Sequence, residues 1–400
     1  MCIRDSIKFT KHFSFPAEPA YWVLNFMCLY DKNIELDLTG AFKFQNFLYN
    51  QVNAEFAKGN LSVKISDGKS IVRINPLQLL HEEGEVTVDI NVDINNDTVE
   101  FNGKSTIHPE SLGCMIGIIE KDDLKGWDFS LPITITANGI CGLSSYSNMN
   151  FIVQFHGNNA RYGIGEITNY NFTMLFDNGI GESTNLSGYM YGGQLHGDMK
   201  IYLPGVLSEQ PYYKLSLTLL NANFEKFLYA ISKEKKEYFG KLNCLLDIEG
   251  NYGSNVVNSI KGDGQVTIKK GRVFMLPLFF GLSRFMAMLI PGLDFVLRQS
   301  DVYCSFVIEN GAMRTRDLLI EGDIFSLKCS GKYDFIDSLD FKVRLQFLKQ
   351  HTIAGQILQK VTYPISKLFE FKLQGTLNNP HWYPVNFSSC LLYTSPSPRD

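Results

Sequence analysis

Histidine and cysteine are the residues most able to bind a metal or act as nucleophiles, and in this sequence they are scattered. No H-E-x-x-H or C-x-x-C spacing occurs, and no cysteine stands next to a histidine, so the sequence predicts no metal site. The histidines are His12, His81, His108, His156, His196, His351 and His381. The cysteines outside the two ends of the chain are Cys28, Cys114, Cys141, Cys244, Cys304 and Cys329. Free, partly buried thiols are the expectation for these six, although spacing leaves disulfides open.

The acidic residues and glycines also lack the arrangement that catalysis requires. The pairs Glu82-Glu83 and Asp122-Asp123 lie in loop-like stretches, which favours solvated charges over an acid and base pair. Gly262 and Gly264 stand between strand-like runs rather than before a helix, so turns are favoured over a phosphate loop. No G-x-S-x-G elbow is present. We therefore expect a protein that is not an enzyme and holds no cofactor.

Composition narrows the class of protein further. The 400 residues carry a net charge of -4, only 20% are charged, and 30 Phe and 19 Tyr are present. The sequence contains no long cluster of Lys and Arg, and together with the near-neutral charge this argues against nucleic acid as a partner. Many aromatic and β-branched residues favour strands. The length suffices for two domains or for one extended β-structure.

Alternation of apolar and polar residues is the dominant pattern. It runs unbroken from Val86 to Ile94, and similar runs continue through the chain up to Phe347 and beyond. Such residues occupy opposite faces of a strand, so the sequence predicts a mainly β protein with an antiparallel sheet, apolar on one face. The apolar residues that we expect to line a groove on this face are Val86, Val88, Ile90, Val92, Ile94, Leu215, Leu217, Phe341, Val343, Leu345 and Phe347.

Glycine-containing pairs and four less regular segments punctuate the strands. Asp67-Gly68, Asn102-Gly103, Asn138-Gly139, Asn178-Gly179, Gly192-Gly193 and Asn310-Gly311 are predicted as hairpin turns. Helices are predicted within 46–58, 223–238, 278–298 and 352–368. The third is almost wholly apolar but is interrupted at Pro291 after 13 residues, too short a stretch to span a bilayer.

From Tyr212 onward, the order of features resembles the C-terminal module of the AsmA-like proteins, relatives of TamB and of the chorein-type bridge-like lipid transfer proteins. The most specific residues are the run from Gly262 to Gly271, which reads G-D-G-Q-V-T-I-K-K-G and precedes Pro277-Leu278, and the closing Gly375-Thr-Leu-Asn-Asn-Pro380. The resemblance covers roughly 170 residues. It divides the chain into a β-rich groove segment, 7–205, and an AsmA-like module, 206–389.

The resemblance implies an elongated antiparallel sheet, curved into an apolar trough (a β-taco) and capped by a few amphipathic helices. The trough would hold phospholipid acyl chains without catalysis. It also implies a periplasmic protein, anchored to the inner membrane by an N-terminal segment missing from this fragment, that aids phospholipid transport to the outer membrane. Other envelope partners are not specified.

The apolar helix predicted within 278–298 allows two interpretations. It either plugs one end of the sheet as core, or it lies at a membrane surface as a lid over the groove. Its candidate membrane or lid residues are Leu278, Phe279, Leu282, Arg284, Phe285, Met286 and Leu289. In the second interpretation Arg284 would meet phosphate headgroups.

Two further interpretations stay open from the sequence. An outer-membrane β-barrel would turn its apolar face toward lipid. An extracellular β-sandwich acting as a binding module would bury the same face against a second sheet. Residues 1–6 and 390–400 resemble translated adapter sequence, and we expect both to be artefacts of assembly.

Overall fold

The computed structural model describes residues 13–15, 20–30, 34–50, 52–122, 124–233, 238–252, 256–283, 299–323, 325–347 and 370–385; the side chains of a few of these, including Phe347, are not described. Most of these residues lie in antiparallel strands, which confirms the predicted mainly β class with few helices. The chain separates into two units. The N-terminal unit contains residues up to 190 together with 196–209, and the C-terminal unit contains 191–195 and the residues from 210 on.

The first thirteen strands lie between Phe13 and Tyr202. They are β1 (Phe13–Ser14), β2 (Tyr21–Tyr30), β3 (Ile34–Tyr49), β4 (Val52–Ser66), β5 (Lys69–His81), β6 (Gly84–Asp93), β7 (Thr98–Ser105), β8 (Trp127–Phe129), β9 (Thr134–Gly142), β10 (Asn150–Tyr162), β11 (Gly165–Asp177), β12 (Ile180–Met190) and β13 (Gly193–Tyr202). A helix, α1 (Pro109–Ile116), follows β7, and a 3-10 turn, Tyr146–Asn148, precedes β10.

Nine strands follow. They are β14 (Tyr212–Asn223), β15 (Lys241–Asn251), β16 (Lys261–Gly271), β17 (Ser300–Glu309), β18 (Ala312–Gly322), β19 (Phe325–Asp334), β20 (Ser338–Phe347), β21 (Glu370–Gly375) and β22 (Pro380–Pro384). Two helices, α2 (Phe224–Ser232) and α3 (Val256–Ser259), and two 3-10 turns, Val273–Met275 and Pro277–Phe279, connect them.

Each unit is a meander in which strands pair with their neighbours in sequence. In the N-terminal unit the order of pairing is β2, β3, β4, β5, β6, β7, β9, β10, β11 and β12, and β8 pairs with one end of β10. In the C-terminal unit, β14 to β22 pair in order. Because directly opposed residues of antiparallel strands share a face, the alternation of each strand adds to one continuous surface.

The predicted helix within 46–58 is wrong, because these residues form the end of β3 and the start of β4. Asn46 has a φ of 47°, a left-handed conformation that interrupts the regular alternation of β3, although the register with β4 is the same on both sides, with Gln45 opposite Phe56 and Phe47 opposite Ala54. Phe44 and Phe47, three residues apart, are consequently both buried in one cluster with Ala54 and Ala57. A spacing of three is typical of a helix, which explains the incorrect prediction.

Two of the predicted turns are also wrong. Asn102-Gly103 and Asn138-Gly139 lie inside β7 and β9, where Asn102 is opposite Asn138. Gly139 has a φ of 146° and lies between Phe101 on β7 and Phe151 on β10. Because glycine has no side chain, the rings of Phe101 and Phe151 meet across it, with centroids 5.5 Å apart. The glycine therefore serves packing between strands rather than a reversal of the chain.

The other turn and helix predictions have mixed outcomes. Turns are present at Asp67-Gly68, Asn178-Gly179 and Asn310-Gly311. The helix predicted within 223–238 is α2, with Asn223 as its N-cap: the Asn223 side-chain oxygen accepts a hydrogen bond from the Lys226 amide at 3.0 Å. The segment 352–368 lies outside the described residues.

Candidate functional site

The apolar face of the N-terminal unit carries the first set of predicted groove residues. Val86, Val88, Ile90 and Val92 lie on the same face of β6, and all four are half-buried. Ile94, which lies just beyond the strand, is 53% exposed. The structure therefore brings these residues together on a surface that stays partly accessible to solvent.

This face extends across the unit in continuous rows of directly opposed residues. One row contains Leu61, Ile74, Ile90, Phe101, Gly139, Phe151 and Phe176. The row beside it contains Gly59, Leu77, Val88, Gly103, Ala137, Val153 and Met174. Stacked rings join neighbouring strands within the face. The ring centroids of Phe151 and Phe176 are 4.7 Å apart, and those of Phe155 and Phe172 are 4.6 Å apart.

Among the described residues, the covering segments lie at one end of this face. Helix α1 lies against β4, and the side-chain amide of Asn50 donates to the carbonyl of Met115 at 3.1 Å. Met115 is buried, and Ile107 and Ile133, on either side of the helical segment, have no exposed surface. At the other end of the strands, Val63, Val72 and Val99 remain half-buried. The face is thus closed at one strand end and accessible toward the other.

The opposite face of the same strands is polar. Thr87 and Asp89 alternate with the apolar residues of β6, and Asn91 accepts a hydrogen bond from Arg73 at 3.3 Å and donates one to Glu100 at 3.3 Å. Lys104 lies opposite both Thr87 and Thr136. Such side chains keep this face in water, so the two faces of the sheet differ in polarity as the alternation predicts.

The apolar face of the C-terminal unit carries the remaining groove residues, and its burial differs along the strands. Leu215 and Leu217 on β14 are half-buried. Phe341, Val343 and Leu345 on β20 are buried, with 8%, 2% and 0% exposure. The side chain of Phe347 is not described. Of this second set, the half-buried residues of β14 are therefore the ones that remain partly accessible.

A row of buried residues marks the closed end of the C-terminal unit. Its members, directly opposed from β14 to β20, are Ala222, Leu242, Ile268, Val302, Ile320, Leu327 and Leu345. Each is less than 9% exposed, and Leu327 and Leu345 have no exposed surface. This degree of burial is typical of a hydrophobic core.

The segment from Val273 to Ser283 covers this end through a chain of aromatic contacts. The centroids of Phe325 and Phe274 are 5.0 Å apart, those of Phe274 and Phe279 are 5.5 Å apart, and those of Phe279 and Trp382 are 6.1 Å apart. The indole N–H of Trp382 donates to the carbonyl of Leu278 at 2.8 Å. The segment is therefore fixed to the sheet by both packing and a hydrogen bond.

The predicted membrane or lid residues fall partly in this segment. Phe279 and Leu282 are buried, with 4% and 0% exposure, Leu278 is half-buried, and Phe280 is 49% exposed. The described start of the segment thus packs as core, which agrees with the plug interpretation. Arg284, Phe285, Met286 and Leu289 lie outside the described residues.

Two of the histidines accept hydrogen bonds from nearby backbone amides. Nδ1 of His108 accepts a hydrogen bond from the amide of Glu110 at 3.2 Å and so caps α1, and Nδ1 of His81 accepts one from the amide of Glu83 at 3.1 Å. Within the described ranges, no group of three His, Cys, Asp or Glu residues could hold a metal ion. Gly264 lies inside β16 beside the ring of Phe306, so the predicted turn there is wrong.

The six cysteines of the described part of the chain are free. Burial raises the pKa of the Cys141, Cys244 and Cys304 thiols, and it raises the pKa of Cys329 to about 12. A raised thiol pKa keeps the sulfur protonated and weakly nucleophilic. The most deeply buried of them, Cys329, therefore acts as a small apolar residue rather than as a reactive group.

Two features of the N-terminal unit were not predicted from the sequence. Helix α1 has a sequence signal, since Pro109 occupies its first turn and Glu110 follows. Strand β2, which reads Y-W-V-L-N-F-M-C-L-Y, carries no charge, and its residues 21–29 are all exposed. The sequence signal that could have identified β2 is an uncharged run of ten residues without alternation, because apolar residues occupy both faces of this strand.

No helix among the described residues is both long enough and apolar enough to cross a membrane. Comparisons of the chain with protein-family models, with curated proteins and with solved structures found no match.

Proposed function

We propose that this chain binds the acyl chains of phospholipids, without catalysis, on the accessible part of its apolar sheet faces, and above all on the face around Val88 and Ile90. Following the AsmA-like resemblance, we further propose that it acts in the periplasm, tethered to the inner membrane, and aids phospholipid movement between the inner and outer membranes. The proposal concerns binding and conduction of lipid, so it requires no catalytic residue.

The observation that carries the proposal is the partial exposure of a broad, continuous apolar face. The rows through Val88 and Ile90 extend from β4 to β11, and the four predicted residues of β6 stay half-buried. Apolar patches larger than a few hundred Å2 are rare on soluble monomers and indicate a binding surface. Each methylene of an acyl chain that this face removes from water contributes about 0.8 kcal/mol.

The C-terminal unit gives an internal reference for a face that protein already fills. There, Val343 and Leu345 are almost completely buried, and Phe274 of the aromatic segment packs against Phe325 on the neighbouring strand. Had the face around Val88 been the inside of a sandwich, its residues would be buried to the same degree. Their partial exposure supports an acyl chain as the missing layer.

A long, uniform face also suits movement of the bound chain. Neighbouring positions along the strands offer similar aliphatic and aromatic contacts, so a tail can slide with little change in free energy. The closed end at α1 would stop the tail, and the other end would leave the headgroup in water. This arrangement supports binding of a diacyl lipid by its tails, with little selection of its headgroup.

The first test is lipid occupancy. We expect residues 7–389, expressed in a Gram-negative bacterium and purified in mild detergent, to retain phospholipid that organic extraction and mass spectrometry detect in stoichiometric amounts. A folded, monodisperse protein that carries no lipid and takes up no fluorescent phospholipid would rule out the proposal.

A matched pair of variants locates the binding face. Val88→Asp with Ile90→Asp adds two charges to the apolar face, and we expect uptake of fluorescent phospholipid to fall at least tenfold. Thr87→Asp with Thr136→Asp adds two charges to the opposite face, where both residues flank Lys104. We expect this control to bind lipid like the unmodified chain, with circular dichroism confirming that both variants are folded. Equal loss in the two variants would contradict the assigned face.

The compartment is tested separately. We expect the natural full-length protein, tagged at its C-terminus, to be degraded by protease added to spheroplasts, as a periplasmic protein would be. Protection of the tag until the inner membrane is lysed would contradict this part of the proposal without affecting lipid binding.

A further inference from the structure

A cavity lies at the accessible strand end of the apolar face in the N-terminal unit. It has a volume of about 450 Å3, which is within the range of small-molecule sites, and Cys141 forms part of its lining. Cys141 is opposite Val99, and Val99 is opposite Val92 of β6. The row of residues that would hold an acyl chain therefore leads directly to the cavity.

Hydrogen bonds and close packing fix the walls of this cavity. The 3-10 turn brings Tyr146 against Gly179, where a Cβ atom would lie only 3.1 Å from the tyrosine ring. The carbonyl of Gly179 accepts a hydrogen bond from the Leu203 amide at 2.9 Å, and the amide of Gly205 donates to the Ser208 carbonyl at 2.7 Å. All of these residues belong to the N-terminal unit. The segment before β10 and the segment after β13 thus form a defined cavity.

The lining combines apolar residues with neutral polar ones. Met149 is 6% exposed and Leu143 is 53% exposed, whereas Ser144, Ser145 and Tyr146 carry hydroxyl groups. The described residues of the lining include no Lys or Arg, the side chains that proteins use to bind phosphate. Such a lining suits the part of a phospholipid where the acyl chains end and the polar groups begin.

A carboxylate lies directly behind this lining. Oδ2 of Asp97 accepts hydrogen bonds from the Ser144 amide, at 3.2 Å, and from the Ser144 hydroxyl. The Asp97 carbonyl accepts a third bond from the Leu143 amide at 2.9 Å. Because the Ser144 hydroxyl donates to a negative charge, its oxygen is polarised and still able to accept a hydrogen bond. An ammonium group is the donor that fits this pair.

We propose that the cavity binds the headgroup of the phospholipid whose tails lie on the apolar face, and that it prefers the ammonium of phosphatidylethanolamine to the anionic headgroup of phosphatidylglycerol. The inference rests on the proposed lipid binding and identifies where the headgroup is held.

The expected preference is modest. The apolar face itself selects little between headgroups, so any discrimination has to arise at its accessible end. An anionic headgroup would bring its charge close to Asp97, and the described lining has no cation to offset it. Water reaches this end of the face, and ion pairs in contact with water contribute little, so we expect a preference of about threefold.

The first test measures the preference as a ratio. The whole chain is incubated with vesicles that contain equal amounts of phosphatidylethanolamine and phosphatidylglycerol with identical acyl chains, then re-isolated and extracted for mass spectrometry. We expect the unmodified chain to retain about threefold more phosphatidylethanolamine. Asp97→Asn keeps an acceptor for Ser144 but removes the charge, and it should bind the two lipids about equally. Asp89→Asn removes the same charge from the opposite face of β6 and should keep the preference.

The outcomes separate this inference from the proposed function. Uptake of lipid without a preference, or a preference that Asp97→Asn leaves unchanged, would overturn the inference and leave lipid binding intact. A folded chain that takes up neither lipid would overturn both.

A second test locates the headgroup independently of its charge. Phosphatidylethanolamine with a maleimide on its amine should modify Cys141 in the cavity and leave Cys114, in α1 at the covered end, unmodified. Reaction of the folded chain with N-ethylmaleimide corrects for the intrinsic reactivity of each thiol, and peptide mass mapping identifies the sites. The maleimide replaces the ammonium, so this test reports position and not preference. Modification of Cys114 rather than Cys141 would overturn the placement of the headgroup.

Discussion

The apolar faces of the two units have the same sequence pattern but different coverage. The alternation from Val86 to Val92 and that from Phe341 to Leu345 look equivalent in sequence, yet the first set is half-buried and the second is buried. The difference arises from remote residues, since Phe274, Phe279 and Trp382 cover the C-terminal face. Alternation thus identifies an apolar face, whereas distant segments decide whether other parts of the protein cover it.

The largest expected contrast is in thiol labelling. Cys329 lies opposite Val343 on the covered face, and its pKa of about 12 leaves about one thiolate in ten thousand at pH 8. Cys141 lies opposite Val99 on the accessible face and is half-buried. We expect iodoacetamide at pH 8 to modify Cys329 at least ~1,000-fold more slowly than Cys141, because Cys329 also requires unfolding.

Peptide mass mapping over time gives both rates in one sample. Because the pKa of Cys329 is raised, the thiol is neutral below that pKa, and its labelling should stay slow from pH 7 to 10 while the protein is folded. In denaturant the two rates should become similar. Similar rates in the folded protein would mean that the two faces are equally accessible.

A charge placed on each face gives the next largest contrast. Leu345→Asp buries an unpaired carboxylate at a position with no exposed surface, so we expect it to lower the free energy of unfolding by about 4 kcal/mol or more. Val88→Asp lies at a half-buried position that water can reach, and we expect a loss of about 1–2 kcal/mol.

Urea denaturation followed by hydrogen exchange reports on each unit separately. Comparable losses from the two substitutions would indicate that the face around Val88 is covered as fully as that around Leu345.

The hydrogen bond that holds the covering segment should have a smaller effect. Trp382→Phe removes the donor to the Leu278 carbonyl, and we expect a loss of about 1–2 kcal/mol in the C-terminal unit because that carbonyl loses its partner. Trp127→Phe, at a 41% exposed position of the N-terminal unit, is the control and should change stability by less than about 0.5 kcal/mol. Thermal unfolding distinguishes the two. Loss of the bond without any change in stability would show that packing alone retains the segment.

The smallest expected effect is at a helix cap. Asn223→Ala removes the side-chain oxygen that accepts from the Lys226 amide, which should cost about 1 kcal/mol or less. Asn223→Asp keeps an acceptor at the same position and is the matched control, which we expect to retain the stability of the unmodified chain. Chemical denaturation of both variants measures the difference. Equal destabilisation by the two would show that the hydrogen bond is not what fixes the start of α2.

Local patterns predicted much of the fold because strand alternation and hairpin turns depend on nearby residues. The strand through Val88 and the turn at Asn310-Gly311 follow from such patterns. The left-handed conformation of Asn46 was not predictable in the same way, and the burial of both Phe44 and Phe47 around it gives a spacing typical of a helix. The glycine at 139 was misread for a related reason: its role depends on Phe101 and Phe151, which come from two other strands.

The apolar faces of the sheet followed from the alternation, but their accessibility to solvent did not. The residues of β6 and β20 lie on apolar faces as expected, but nothing near Val343 in sequence indicates that an aromatic segment about 70 residues earlier covers its end of the sheet. The exposed strand β2 was not predicted because a strand with two apolar faces resembles a buried one in sequence.

The meander of the C-terminal unit has a consequence for folding and for the evolution of length. Every strand from β14 to β22 pairs with the strand before or after it in the chain, so each pairing joins neighbouring elements and does not require a remote strand to be in place first. One hairpin returns the chain to the same end of the sheet. Inserting or deleting a hairpin would therefore lengthen or shorten the apolar face. The direction of every other strand would stay the same, and the segment from Val273 to Ser283 would stay at the same end of the sheet.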